Sequence, residues 1–244
     1  MFNQDFFNDK LLKKRVDVFY GYGNYKENYW FIGMEERGED FQDIHKRINI
    51  WSNRGKYEID DVAEYHIDMG TWDERIQPTW NKLIRIVLSA KEKENIDLEK
   101  VRKYQINELG RKDKETCLLE LFPLPSRSLK DWIFNPPHTQ LSFLSNRATY
   151  ENYCLEKRIN YISQRIKEHQ PKAVIFYGVG YEYYWRRITE KITDVEFSPT
   201  SEGFLICKNS QTVFVIAKHP VSRGLTNEYF HNIGRSIATK IAEE

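Results

Sequence analysis

The sequence predicts an α/β protein: a three-layer α/β/α sandwich around a central, mainly parallel sheet of four to five strands. Two observations predict it. Four short, nearly continuous apolar runs occupy residues 29–34, 116–122, 173–177 and 212–217. A strand with one wet face would alternate, so these runs read as strands covered on both faces. Segments of helical periodicity separate them. Strands alternating with helices imply parallel pairing, with helices on both sides of the sheet.

In chain order, the first strand is 29–34. A helix follows Pro78, capped by Thr79 and running through Leu83, Ile84, Val87 and Leu88. Asp97 caps the next helical segment, which Gly110 stops. After the strand at 116–122 comes the longest helix, 149–170, closed by Pro171. The strand at 173–177 leads to Gly178 and Gly180 and a short helix. A fifth strand, 204–207, joins the one at 212–217 through the turn residues 208–211. A helix from about 227 to 242 ends the chain. Two stretches carry no assignment: the acid-rich 37–77, and 123–147 with Pro123, Pro125, Pro136 and Pro137. Irregular segments of that length in a compact domain are lids or binding loops. With no repeats and no low-complexity linker, residues 1–244 read as one domain.

Composition narrows the classes. No run of about 18 apolar residues is present to span a bilayer. The first fifteen residues mix acids, amides and lysines, unlike a secretory signal or a transit peptide. Cys117, Cys154 and Cys207 are widely spaced and odd in number, which fits buried thiols in a reducing cytoplasm. No CxxC or CxxH spacing points to a cysteine-held zinc site or an iron–sulfur cluster, so neither is expected. The net charge of +1 gives no global signature of a nucleic-acid binder, although a local basic rim can still steer a polyanion.

In an open parallel sheet, ligands bind beyond the carboxyl ends of the strands. The first strand delivers Gly33, Met34, Glu35 and Glu36. The second delivers Glu120, Phe122 and then Ser126 and Arg127, and the last delivers Lys218, His219, Ser222, Arg223 and Leu225. An acid inside an apolar strand, such as Glu120, is expensive unless it is paired or faces a pocket. The glycines 178 and 180 suit helix packing as well as a phosphate cradle. The aromatic run 181–185 reads as helix packing rather than a stacking surface.

Two of these stretches resemble motifs of the uracil-DNA glycosylase superfamily. Phe31-Ile-Gly-Met-Glu-Glu-Arg-Gly38 is similar to its first motif, in which a strand ends in Gly, any residue, then a catalytic Asp or Asn. Glu35 takes the catalytic position, and Glu36 stands where the family usually has proline. His219-Pro220 followed by Val221-Ser-Arg-Gly-Leu225 is similar to its second motif, a histidine, a proline and a DNA-inserting loop. The strand carrying Glu120 is similar to the one that normally ends in a base-reading Asn.

The resemblance implies a monofunctional DNA glycosylase that needs no cofactor. Its partner is single- or double-stranded DNA with an extruded base, and neither a membrane nor an obligate protein partner is implied. Glu35 and His219 are the expected catalytic residues, with Glu36 beside them. Gly33, Met34, Glu120 and Phe122 are expected around the base. Ser126, Arg127, Ser222, Arg223 and Leu225 are expected on DNA, with Arg223 and Leu225 as wedge candidates and Lys130, Arg187 and Lys218 completing a phosphate-gripping rim. A carboxylate at Glu120 favours a cytosine-type base over uracil, because it accepts from an exocyclic amine. Some relatives act in phage defence on glucosylated hydroxymethylcytosine, so defence and repair are both implied roles. Two other classes stay open: a metal-dependent hydrolase using Glu35, Glu36 and His219, and a non-catalytic binder of nucleotides or modified DNA.

Overall fold

The computed structural model describes residues 6–73, 75–91 and 96–243. It is α/β. Among the described residues eight strands form one mixed sheet: β1 (Gly21–Tyr22), β2 (Tyr29–Gly33), β3 (Ile59–Asp60), β4 (Thr116–Glu120), β5 (Ala173–Tyr177), β6 (Ser198–Pro199), β7 (Leu205–Lys208) and β8 (Val213–Ala217). Their order is β3-β1-β4-β2-β5-β8-β7-β6. The pairs β4–β2, β2–β5 and β5–β8 are parallel, whereas β1–β4, β7–β8 and β6–β7 are antiparallel. The sheet is wider than the four to five strands expected, because β1, β3 and β6 are two-residue additions too short to leave a sequence pattern.

Alternate residues of each central strand point to opposite faces. Tyr29, Phe31, Ile175 and Val215 join a core with α3 (Val62–Met69), α4 (Pro78–Lys91), α5 (Leu98–Asn107) and α8 (Asn227–Ala242). Trp30, Ile32, Phe176 and Ile216 join a second core with α1 (Asp9–Val18), α2 (Phe41–Asn53), α6 (Arg147–His169) and α7 (Glu182–Glu190). Cys117, Cys154 and Cys207 are buried free thiols. Among the described residues no helix is long and apolar enough to cross a membrane.

Several expectations change at helix starts. Pro78, not Thr79, opens α4; its missing N–H costs nothing at that position, and Gln77 Oε1 accepts from Trp80 N at 2.8 Å. The longest helix begins at Arg147, because Asn146 caps it through Thr149 N at 2.9 Å. The largest difference lies in residues 37–77, which are not an open loop. They hold α2, β3 and α3, capped by Asp40 and Asp61 and burying Ile44, Ile48, Trp51, Val62, Tyr65 and Met69. By contrast, 123–146 is largely irregular apart from a 3₁₀ turn at Ser142–Leu144.

Arg158 of α6 fixes the end of β4. It is 1% exposed, and its guanidinium donates to the carbonyls of Leu121 (2.8 Å), Phe19 (2.6 Å) and Glu120 (2.5 Å) while lying 3.5 Å from the Tyr20 ring centroid. Buried carbonyls left without donors are costly. Arg158→Met should therefore destabilise the fold by about 3–5 kcal/mol, read as a lower urea midpoint at unchanged m-value. A midpoint close to that of the unaltered protein would show that the clasp does not hold β4.

Candidate active site

Parallel register carries the ends of the central strands to one edge. Gly33 lies opposite Glu120, and Tyr177 lies opposite Ala217, two residues before His219. A Cβ at Gly33 would come within 2.3 Å of the Tyr177 hydroxyl, so the absent side chain lets that ring lie across the end of β2. The Tyr177 ring meets His219 edge-on at 5.7 Å. Burial, then the charges of Glu120 and Glu36, raise the Tyr177 phenol well above its ordinary value and keep it neutral.

Glu35 and Glu36 leave the strand toward different helices. Glu35 Oε2 accepts from Arg147 Nη2 at 2.7 Å, at the first residue of α6, and Arg147 also binds Glu151 at 2.7 Å. Burial raises the Glu35 carboxyl and Arg147 opposes the rise. Glu36 has both oxygens engaged. Arg15 Nη2 of α1 donates to Oε2 at 2.8 Å, and the Tyr22 hydroxyl donates to Oε1. Arg15 is fully buried, reaches the Pro123 carbonyl at 3.2 Å and stacks 3.8 Å from the Phe19 ring centroid.

Glu120 differs from both. Its Oε2 is buried with no hydrogen-bond partner, and no described cation pairs with the carboxyl. Arg158 binds the Glu120 carbonyl rather than its side chain. Burial first, then the charges of Glu36 and Glu35, push this carboxyl well above the usual range, with Arg158 opposing. A carboxylate that loses water and gains no cation neutralises by holding its proton.

Burial lowers His219, which is neutral at pH 7 as a result. Its Nδ1 accepts from Val221 N at 3.4 Å, which assigns the ring proton to Nε2 as a donor. In the loop that follows, Val221, Ser222 and Arg223 are exposed, whereas Leu225 packs against the core. Of the two wedge candidates, only Arg223 is free to extend outward.

The structure brings Glu35, Glu36, Glu120, Gly33 and His219 to one edge of the sheet. It places Met34 and Phe122 in the second core. Ser126 is buried and its hydroxyl donates to the Ser128 carbonyl at 2.8 Å, a loop-closing contact. Arg127 and Lys130 are exposed on that loop and Lys218 at the end of β8, whereas Arg187 is paired with Glu156. In the aromatic run, Trp185 is buried against Phe176 as expected of packing, but Tyr183 is 68% exposed. Among the described residues no group of three or more His, Cys, Asp or Glu side chains is placed to hold a metal ion, so Glu35, Glu36 and His219 do not form one.

Arg15, Tyr22, Arg147 and Tyr177 carry no motif that would single them out in the sequence. Their one visible trace is Arg15, which sits among the apolar positions Leu12 and Val16 of α1. In α3 and α4, His66 lies edge-on to Trp80 at 5.3 Å, and burial pushes its imidazole down to about 4.

Arg147→Met removes the cation beside Glu35, so the folded-state carboxyl rises further above its unfolded value. The proton is then taken up on folding once the pH exceeds that unfolded value, and the loss grows as pH rises. Destabilisation should reach about 1–3 kcal/mol at pH 7 and shrink toward pH 4 as Glu35 becomes protonated in both states. Urea melts at the two pH values check this, and an equal loss at both would place the role of Arg147 in packing alone.

No protein-family model matches the chain, and no curated protein matches it significantly.

Proposed function

We propose that the chain is a monofunctional DNA glycosylase that hydrolyses the N-glycosidic bond of an extruded pyrimidine and leaves an abasic site. In this reading the molecule is a three-layer α/β/α sandwich of the uracil-DNA glycosylase kind. The observation that carries it is that a part-buried Glu35, a neutral His219 and a half-buried Glu120, whose Oε2 is shut off from solvent, all lie where the parallel strands end. The resemblance of residues 31–38 and 219–225 to the two superfamily motifs supports the same assignment.

The chemistry asks for these groups. Breaking the bond leaves a sugar with oxocarbenium character while the departing base gathers negative charge. Glu35 has one oxygen held by Arg147 and a raised carboxyl, as suits a base that takes a proton from water. Glu36, fixed by Arg15 and Tyr22, supplies a standing negative charge beside the cationic sugar. The Nε2–H of His219 donates to the base oxygen. Exposed Arg127, Lys130, Lys218 and Arg223 grip phosphates around this acidic centre. A modified cytosine, such as glucosylated hydroxymethylcytosine, is preferred to uracil, since Glu120 stands where an amide would read uracil. Defence against phage and DNA repair are the two roles such an activity serves.

The test is incubation with oligonucleotides carrying different modified pyrimidines, with released base identified by mass spectrometry. Release of a cytosine derivative is expected; release of none, or of uracil alone, overturns the reading or its preference respectively. Glu35→Gln should lower turnover by about two to four orders of magnitude with DNA binding retained. His219→Ala should cost roughly two orders. Arg223→Ala should weaken activity on duplex far more than on single strands, where no stacking has to be broken. Equal losses on both substrates would remove Arg223 from the wedge role.

A further inference from the structure

Glu120 is the one carboxyl of the three at this edge that has no cation. Its own strand gives it none. From the turn after β2, Glu36 and Glu35 face it with negative charge, and both are already committed to guanidinium partners, Arg15 of α1 and Arg147 of α6. From β5, the neutral Tyr177 faces it; from β1, Tyr22 spends its proton on Glu36. From α6, Arg158 is the nearest cation by charge interaction, and all its donor contacts go to backbone carbonyls. The neutral His219 stands beyond Tyr177. A buried Oε2 with no partner therefore ends the strand inside a ring of negative and neutral groups.

We propose that Glu120 is a general acid, delivering its proton to ring N3 of a cytosine-type base while its other oxygen accepts from the exocyclic amine. This rests on the glycosylase reading and names its substrate class. The electrons balance without a further reactant. The Glu120 proton moves to N3, the C1′–N1 bond breaks with its electron pair going to the base, and the base departs neutral. Water adds to C1′ and gives its proton to Glu35, leaving Glu120 as the anion. Solvent then returns the proton from Glu35 to Glu120. Cytosine N3 has a basic lone pair, whereas uracil N3 already carries hydrogen, so the acid itself discriminates between them. Two carboxyls with opposed environments thus take opposite roles, Glu35 as base and Glu120 as acid.

Activity should be complete where Glu35 is ionised and Glu120 still holds its proton, falling on the acid side as Glu35 is protonated and on the alkaline side as Glu120 loses its proton. Glu120→Gln cannot donate that proton; its turnover on cytosine-type DNA should fall by about a hundredfold or more and lose the Glu120 alkaline limb. Chemical rescue makes the test specific. In 3-methylcytosine a methyl group occupies N3 and the ring carries its positive charge before the bond breaks, so the base departs neutral with no proton needed from Glu120. Glu120→Ala makes room for the methyl, so this variant should recover on 3-methylcytosine DNA to within about tenfold of the unaltered protein on its own substrate. Infrared spectra of the free protein at pH 7 should show a protonated-carboxyl C=O band that disappears in Glu120→Gln, whatever the activity. Three outcomes overturn the inference while leaving the glycosylase reading intact: no such band, full activity of Glu120→Gln across the pH range, or an equal loss in Glu120→Ala on both bases. Absence of released base from every oligonucleotide with the unaltered protein is the different result that sinks the glycosylase reading.

Discussion

A carboxylate moved out of water needs a cation or a proton in place of its hydration, and the edge of this sheet half-buries three. Arg15 answers Glu36 and Arg147 answers Glu35, each at under 3 Å, while Glu120 has neither. The two satisfied acids then worsen the position of the third, since their charges add to its burial. Burial keeps His219 neutral, burial and the charges of Glu120 and Glu36 keep Tyr177 neutral, and Arg127, Lys130, Lys218 and Arg223 are exposed.

The central strands are legible in the sequence because both of their faces are buried, and a short unbroken apolar run belongs between two packed layers. Asp97 and Pro171 are legible for local reasons of capping and chain stiffness. The segment 37–77 is harder, although its signals are present. Ile44, Ile48 and Trp51 recur at helical spacing after Asp40, and Val62, Tyr65 and Met69 do so between Asp61 and Gly70. Interspersed acids and arginines mask that period, because Arg47 and Arg54 lie on the half-buried side and pair with acids there. The carboxylates and His219 are legible as strand-end chemistry. Their partners are not, since Arg15 lies 21 positions from Glu36 in the chain and Arg147 lies 112 from Glu35.

Arginine does much of the structural tying in this molecule. Arg15 and Arg158 are each buried in helices that otherwise present apolar residues to the sheet, and each lies over an aromatic ring while its donors reach backbone carbonyls or Glu36. A planar guanidinium can stack and donate at once, and lysine cannot do both. By periodicity alone, an arginine within an apolar stripe is a break in amphipathicity. In α1 and α6 it is the residue that connects the helix to the strand end.

Two consecutive residues, Glu35 and Glu36, bind two separate helices, α6 through Arg147 and α1 through Arg15. The strand end is thereby a crossbar moored at both sides, and neither helix can slide without breaking an ion pair. Tyr22 adds a third mooring from β1. Any opening that admits a large ligand has to come from elsewhere along this edge. The segment after β8 is one such place, since its exposed residues 221–224 are held by local turn contacts, from Val221 N to His219 Nδ1, Ser222 N to the His219 carbonyl and Leu225 N to the Ser222 carbonyl. The fold divides its labour mechanically: a clamped strand end that keeps its geometry, and a loosely held loop across the rim that can yield.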